Sequence, residues 1–238
     1  MTSLALVRLL QLASPALPVG AYTYSQGLEW AVETGVVGNE AAAGRWVGDL
    51  LTHSIGRYEA PLLARLLVLW SAQVGTDISA TASPAASEII RLNADFLASR
   101  ESAELRAETL QMGFSLKRLL ADLRDADLAP VHSLLAALPE VAFPTAWAGI
   151  AAAWRIAPEA ATAAYLWSWA ENQVMAALKA VPLGQAAGQR LLAELAARIP
   201  AVAQAAQTLP EDAWCNFTPA FAIASSLHET QYSRLFRS

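Results

Sequence analysis

Apolar residues recur at helical spacing along most of the chain, and proline and glycine punctuate them. Leu4, Val7, Leu10 and Leu12 predict a short first helix, stopped by Ser14-Pro15 and Pro18. Ser25 reads as the N-cap of a helix over Gln26 to Thr34, with Gly35 as its stop. Asn39 caps a third helix reaching about His53, with Trp46, Leu50 and Leu51 turned inward. Pro61 suits the first turn of a fourth, whose Leu63, Leu66, Leu67 and Trp70 repeat at helical spacing.

Thr76 to Ser87, rich in serine, threonine and alanine, reads as a flexible connection. Within it Ser83-Pro84 provides an N-cap and first-turn proline for a helix to about Ala98. A long helix is expected from about Glu101 to Leu123, and Pro130 opens a short one. Pro139 to Pro144 reads as a loop and Thr145 to Ile156 as a helix, and Pro158 opens the longest helix, to about Ala180. Three more are expected at Gln185–Arg198, Pro200–Thr208 and Pro219–Glu229. No hairpin signal or fixed-period repeat stands out, and no linker is long enough to separate two domains. The pattern predicts an all-α protein, one compact domain of roughly ten helices over residues 1–238.

Composition agrees. Alanine alone accounts for 52 residues, and alanine and leucine head the helix scale because they lose little side-chain freedom in a helix. A net charge of -5 repels phosphate backbones and, with no basic recognition helix, argues against nucleic-acid binding. Hydrophobic content of 55% raises the question of a membrane. The uncharged run Val141–Trp154 has 14 residues and contains a proline, short of the ~20 apolar residues that a spanning helix needs. Arg8 sits inside the first apolar run rather than before it, unlike a signal peptide, and a single cysteine, Cys215, excludes an internal disulfide framework. A soluble cytoplasmic protein without membrane attachment is expected.

Catalytic motifs are absent. The chain contains no Gly-Lys for a phosphate-binding loop, no GxGxxG, GxSxG, HExxH or CxxC, and no glutamate with histidine three residues on. These gaps argue against an enzyme with its own cofactor or metal. The competing reading is a helical metal-dependent hydrolase that gathers His53, His132 or His228 with carboxylates through the fold.

Four stretches carry more polar or aromatic character than a helical core requires. Ser14 to Gly27 holds two prolines, two glycines, Tyr22 and Tyr24, whose phenols can both pack and hydrogen-bond, so this loop either covers the core or meets a partner. Glu101, Glu104 and Glu108, with Arg106 between, place like charges on one helix face at a small cost, either as a solvated face or toward a partner's basic groups. Glu171, Asn172 and Gln173 interrupt the alanine- and tryptophan-rich helix that leads to Lys179, so that helix is not buried all round. The last eleven residues, His228 to Ser238, include Tyr232, Leu235 and Phe236 at i, i+3, i+4 spacing with arginines among them. Ordering them costs on the order of 10–20 kcal/mol of backbone entropy, while burying three apolar side chains returns about 2–3 kcal/mol each. Either backbone hydrogen bonds and the core complete the account, or the tail is mobile until a partner arrives; the partner is the expected supplement, because aromatics and arginine are common interface anchors.

These stretches carry a family resemblance. "LQLASPALPVGAYTYSQGLEW" (Leu10 to Trp30), "SRESAELRAETLQMG" (Ser99 to Gly113), "WSWAENQVMAALKAVPLGQ" (Trp167 to Gln185) and the terminal "HETQYSRLFRS" resemble, in order, blocks of the UreF family of urease accessory proteins. Phe114 departs from the basic residue more usual in that family. The resemblance implies an all-α, non-catalytic protein that acts as a dimer and bridges UreD (UreH) to the GTPase UreG. That complex engages apo-urease for nickel insertion, with modulation or gating of UreG and no cofactor of this protein's own. It implies a UreD-facing tail made of His228, Glu229, Gln231, Tyr232, Arg234, Leu235, Phe236 and Arg237. It implies a UreG-facing surface made of Tyr22, Tyr24, Ser25, Gln26, Glu29, Glu104, Arg106, Glu171 and Lys179.

Overall fold

The computed structural model describes residues 1–75 and 83–237. The predicted flexible connection at 76–82 lies outside the described residues, and Ser83 to Ser87 belong to a helix start. The described residues contain eleven α-helices and no strand. They are α1 (Ser3–Leu12), α2 (Leu28–Glu33), α3 (Glu40–Asp49), α4 (Glu59–Val74), α5 (Pro84–Ala98) and α6 (Ala103–Leu123). After them come α7 (Ala129–Ala137), α8 (Phe143–Ala153), α9 (Pro158–Ala180), α10 (Gln185–Thr208) and α11 (Pro219–His228).

The caps explain most boundaries. Thr2, Asn39, Ser83 and Ser102 each accept a backbone N–H of the first turn, satisfying a donor that has no partner within the helix. α8 ends at Ala153 because Arg155 takes φ 55°. The Arg155 N–H then donates to Ala152 and the Ile156 N–H to Ala151, which closes the helix three residues before the expected Ile156. α2 starts two residues later than expected, since Gln26 and Gly27 both adopt left-handed conformations, φ 52° and 79°. Gly27 is required there: a Cβ would lie 2.8 Å from the backbone nitrogen of Ser225.

Three expectations change in shape. α3 continues as a wider π turn, Leu50–Ile55, in which the Gly56 N–H reaches Leu51 and both Leu51 and Ile55 stay buried. α10 runs unbroken through Pro200 where two helices were expected. Pro200 and Ala196, whose carbonyl loses its helical partner, are both exposed, so the gap in the hydrogen-bond ladder lies on the solvent side of the helix. α1 forms as predicted, but of its predicted apolar set only Leu12 is buried, beside Ala5 and Leu9, while Leu4, Val7 and Leu10 are exposed. Arg8 fixes that rotation: it pairs with Asp125 and Asp127 and stacks over Trp154 at 5.3 Å.

Buried side chains form two large clusters. One joins α1, α4, α5, α6, α7 and α8; the other joins α2, α3, α9, α10 and Phe236 near the C-terminus. α4 lies between them, with Leu62, Leu63, Leu66, Leu67 and Trp70 all essentially inaccessible. α8 is buried from Pro144 to Ala153, and its five alanines and Gly149 allow neighbours to close in. Gly113 of α6 packs on the backbone entering α8, where a Cβ would sit 2.0 Å from the Val141 carbonyl oxygen. Gly113→Ala is expected to destabilise the protein by about 2 kcal/mol or more through overpacking. Urea unfolding checks this, and an unchanged midpoint would mean that α6 and α8 separate freely.

Candidate partner-docking site

The C-terminal segment is not a helix beyond His228. Past that residue the chain doubles back over α2 and α6, and its backbone N–H groups find acceptors outside themselves. The Glu29 carboxylate, buried at the start of α2, accepts from the Leu235 N–H at 2.6 Å and the Phe236 N–H at 3.0 Å. The Arg237 N–H donates to Thr23 at 2.8 Å. This is why the helical spacing of Tyr232, Leu235 and Phe236 yields no helix: a buried carboxylate replaces the carbonyls four residues back.

His228 is completely buried, with Nδ1 2.7 Å from Glu104 and Nε2 3.3 Å from Glu29. Arg234 donates to the other oxygen of Glu104 at 2.8 Å. Glu229 accepts from the Ala103 N–H at the start of α6, where negative charge also suits the helix dipole. Ser225 and Ser102 hydroxyls meet at 2.6 Å beside them. Gln231 folds onto Ser233.

The segment therefore has two sides. Phe236 is buried in the second cluster, with the Lys179 ammonium 5.4 Å over its ring. Tyr232 is fully exposed and Leu235 is 72% exposed. Ser238 lies outside the described residues. The energetic shortfall calculated from sequence counted apolar burial alone. The chain's own carboxylates provide for the His228–Arg237 backbone much of what a partner was expected to supply.

The N-terminal loop is divided in the same way. Tyr22 is exposed, whereas Tyr24 and Ser25 are buried. Burial pushes the Tyr24 phenol above its ordinary range, Glu108 adds to the shift, and Arg237 opposes it. Gln26 points inward as a connector: it donates to Glu108 at 2.9 Å and accepts from the Trp169 indole at 2.8 Å. The predicted acidic face of α6 is thus dispersed. Glu101 precedes the helix, Glu104 serves the tail, and Glu108 is buried against Gln26. Arg106 is not brought to this site; two residues from Glu104 it occupies another flank of α6, bonded to Leu97 and Glu140.

A cavity of about 370 Å³ runs inward between the 13–26 loop, α6 and α9. Tyr22, Glu171 and Lys179 line it, and it reaches to Glu59, Arg100 and Tyr165. Tyr165 donates to Glu59, Arg100 stands 3.4 Å from the same carboxylate, and its guanidinium lies 4.0 Å over Phe96. Burial, reinforced by Glu59, raises the Tyr165 phenol well above its usual range. Sequence reading missed this cluster because its members are far apart in the chain and lie in apolar surroundings that give no sign of pairing.

No cluster of three or more His, Cys, Asp or Glu side chains among the described residues suits a metal ion. His53 is exposed on the π turn, His132 is half-buried on α7, and His228 has one carboxylate at each ring nitrogen, with no common point between them. The three histidines of the hydrolase reading stay apart.

A family model described as UreF matches residues 37–196. The chain belongs to the UreF family. It is 69% identical over 237 residues to the urease accessory protein UreF of Dechloromonas aromatica (strain RCB), covering 100% of this chain and 99% of that protein. It is 64% identical to the UreF of Azoarcus sp. (strain BH72), covering 99% and 96%, and 50% identical to that of Methylobacillus flagellatus, covering 99% of each. The family is one of urease accessory proteins, with a role in maturation and not an enzyme. In this UreF-family chain no helix among the described residues is long and apolar enough to cross a membrane.

Glu171 stands half-buried at the cavity mouth, and burial raises its carboxyl above the ordinary range. A raised acid favours the folded state when protonated, so this contribution is lost as pH rises above the unfolded value of about 4.3. Glu171→Gln is expected to raise the melting temperature at pH 7, with the gain shrinking toward pH 4. A lower melting temperature at pH 7 would show that Glu171 is paired.

Proposed function

We propose that this chain bridges UreD (UreH) and the GTPase UreG, as a homodimer in the cytoplasm, so that nickel is inserted into apo-urease while UreG is modulated or gated. The observation that carries the reading is the two-sided tail. Its backbone is pinned from beneath by Glu29 and Phe236, while Tyr232 and Leu235 are held out, exposed among the described residues. Exposed anchors on an ordered backbone need little further ordering to bind, which removes an entropic cost from association. These two residues, with Arg234 and Arg237, are assigned to UreD.

The second surface, assigned to UreG, lies around the cavity mouth: Tyr22, Glu171 and Lys179, with Gln26 and Glu108 fixing the loop and α6 behind them. Tyr24, Ser25, Glu29 and Glu104 act here by holding the loop and the tail in place. The two surfaces adjoin, with Lys179 of the second lying over the Phe236 ring of the tail, so UreD on the tail positions UreG beside it. Nucleotide chemistry belongs to UreG, consistent with the absence of a phosphate-binding loop in this chain.

The test is a pull-down with purified partners. Tyr232→Ala with Leu235→Ala is expected to weaken UreD binding at least tenfold, with melting temperature and helical circular dichroism unchanged, because both side chains are exposed. UreD binding at wild-type strength would remove the tail from that interface. Lys179→Ala is expected to weaken UreG recruitment several-fold with UreD binding preserved, whereas a precipitating or unfolded variant would make Lys179 a structural residue.

A further inference from the structure

α1 carries most of its large apolar side chains on its solvent side. Leu4, Leu6, Val7 and Leu10 are between 45% and 62% exposed, and Met1 just before the helix is 65% exposed. The outward positions of the helix are Ser3, Leu4, Leu6, Val7, Leu10 and Gln11, and none of them is charged. The helix cannot roll to hide them, because Arg8 on its flank is held by Asp125 and Asp127 and lies over Trp154. A contiguous apolar face fixed outward in this way is the mark of a contact surface.

Charge, pattern and area each select a second copy of this chain as the occupant. A chain of net charge -5 repels its own kind wherever charged faces meet, so an uncharged face is where two copies can approach. In an antiparallel pair of α1 helices with a two-fold axis at Val7, positions equally far on either side of Val7 oppose each other. Leu4 then meets Leu10 of the second copy, Val7 meets its own counterpart, and the Ser3 hydroxyl meets the Gln11 amide. The face is its own complement, and the start of each helix lies beside the end of the other, as the helix dipoles favour. Covering it on both copies removes on the order of 1,000 Å² of surface, at the lower end of what a specific interface buries. A lipid surface fits less well. Helices that lie in a membrane interface present lysine or arginine, and here the flanking Arg8 is already taken by two aspartates.

We propose that the outward face of α1 is the homodimer contact, packed antiparallel on the same face of a second copy across a two-fold axis at Val7. The inference rests on the homodimer of the functional reading and supplies its surface. The Ser168 hydroxyl of α9 donates to the Ala13 carbonyl where α1 ends, which ties the contact to the helix that carries Glu171 and Lys179. Pairing through α1 therefore sets the spacing of two UreG-facing surfaces.

Sedimentation equilibrium of the isolated, full-length protein over a micromolar concentration series tests the contact. The unaltered chain is expected to be a dimer. Leu4→Glu and Leu10→Lys are each expected to weaken dimerisation at least tenfold with the melting temperature unchanged, because both positions are exposed and each charge suits its end of the helix dipole. The chain carrying both substitutions is expected to recover most of that loss, since the opposite charges then face each other twice across the axis. A dimer that survives either single substitution, or a double variant with no recovery, overturns the α1 contact and leaves the homodimer standing. A chain that is monomeric throughout the series overturns the homodimer and the contact together. Single variants that stay dimeric but lose UreD binding, or lose flotation with phosphatidylglycerol vesicles, would give the face to that other occupant and overturn the proposal.

Discussion

A carboxylate enclosed by protein must have its oxygens satisfied, and much of the surface of this protein follows from how Glu29 meets that demand. Its two oxygens accept from Leu235, Phe236 and His228, and these contacts draw the last dozen residues across α2. Phe236 then reaches the second core cluster and Glu229 caps α6. Were Glu29 apolar, the Leu235 and Phe236 N–H groups would lose their acceptor, and Thr23, Glu104 and the burial of Phe236 alone would hold the tail.

That interaction separates holding from display. Polar atoms of the tail's inner side are spent on Glu29, Glu104 and Thr23, while its large side chains point both ways. The same division recurs in the N-terminal loop, with Tyr24 inside and Tyr22 outside. An accessory protein without its own chemistry needs surfaces that persist before its partners arrive. Here they are fixed by buried polar contacts set into an alanine-rich frame.

Much of the fold was legible because short-range chemistry decides it. Asn39, Ser83-Pro84 and Pro158 mark helix starts that depend only on neighbouring residues, and the leucines of α4 repeat at the spacing of a buried helix. What escaped depends on distant partners. The rotation of α1 is set by Asp125 and Asp127, more than a hundred residues away, and the late start of α2 by the approach of Ser225. Proline at position 200 looked like a break because exposure of the Ala196 carbonyl is a tertiary fact. The site residues were recognised as unusual, but which of them face inward could not be read from residue type. Glu29, His228 and Phe236 look like surface groups in the sequence and are interior ones in the fold.

Where α11 crosses α2, the inward positions are Ala224 and Ser225 against Gly27, and the outward ones are Ile223 and Leu227. Small residues make the close approach, and the large buried residues of α11, Phe221 and His228, lie one turn to either side. At such a crossing the fit is set by absent atoms, so mutational tolerance inverts: trimming Leu227 removes little that the fold relies on, while one methyl group gained at Gly27 would prise the two helices apart. The tail inherits its alignment from that seam.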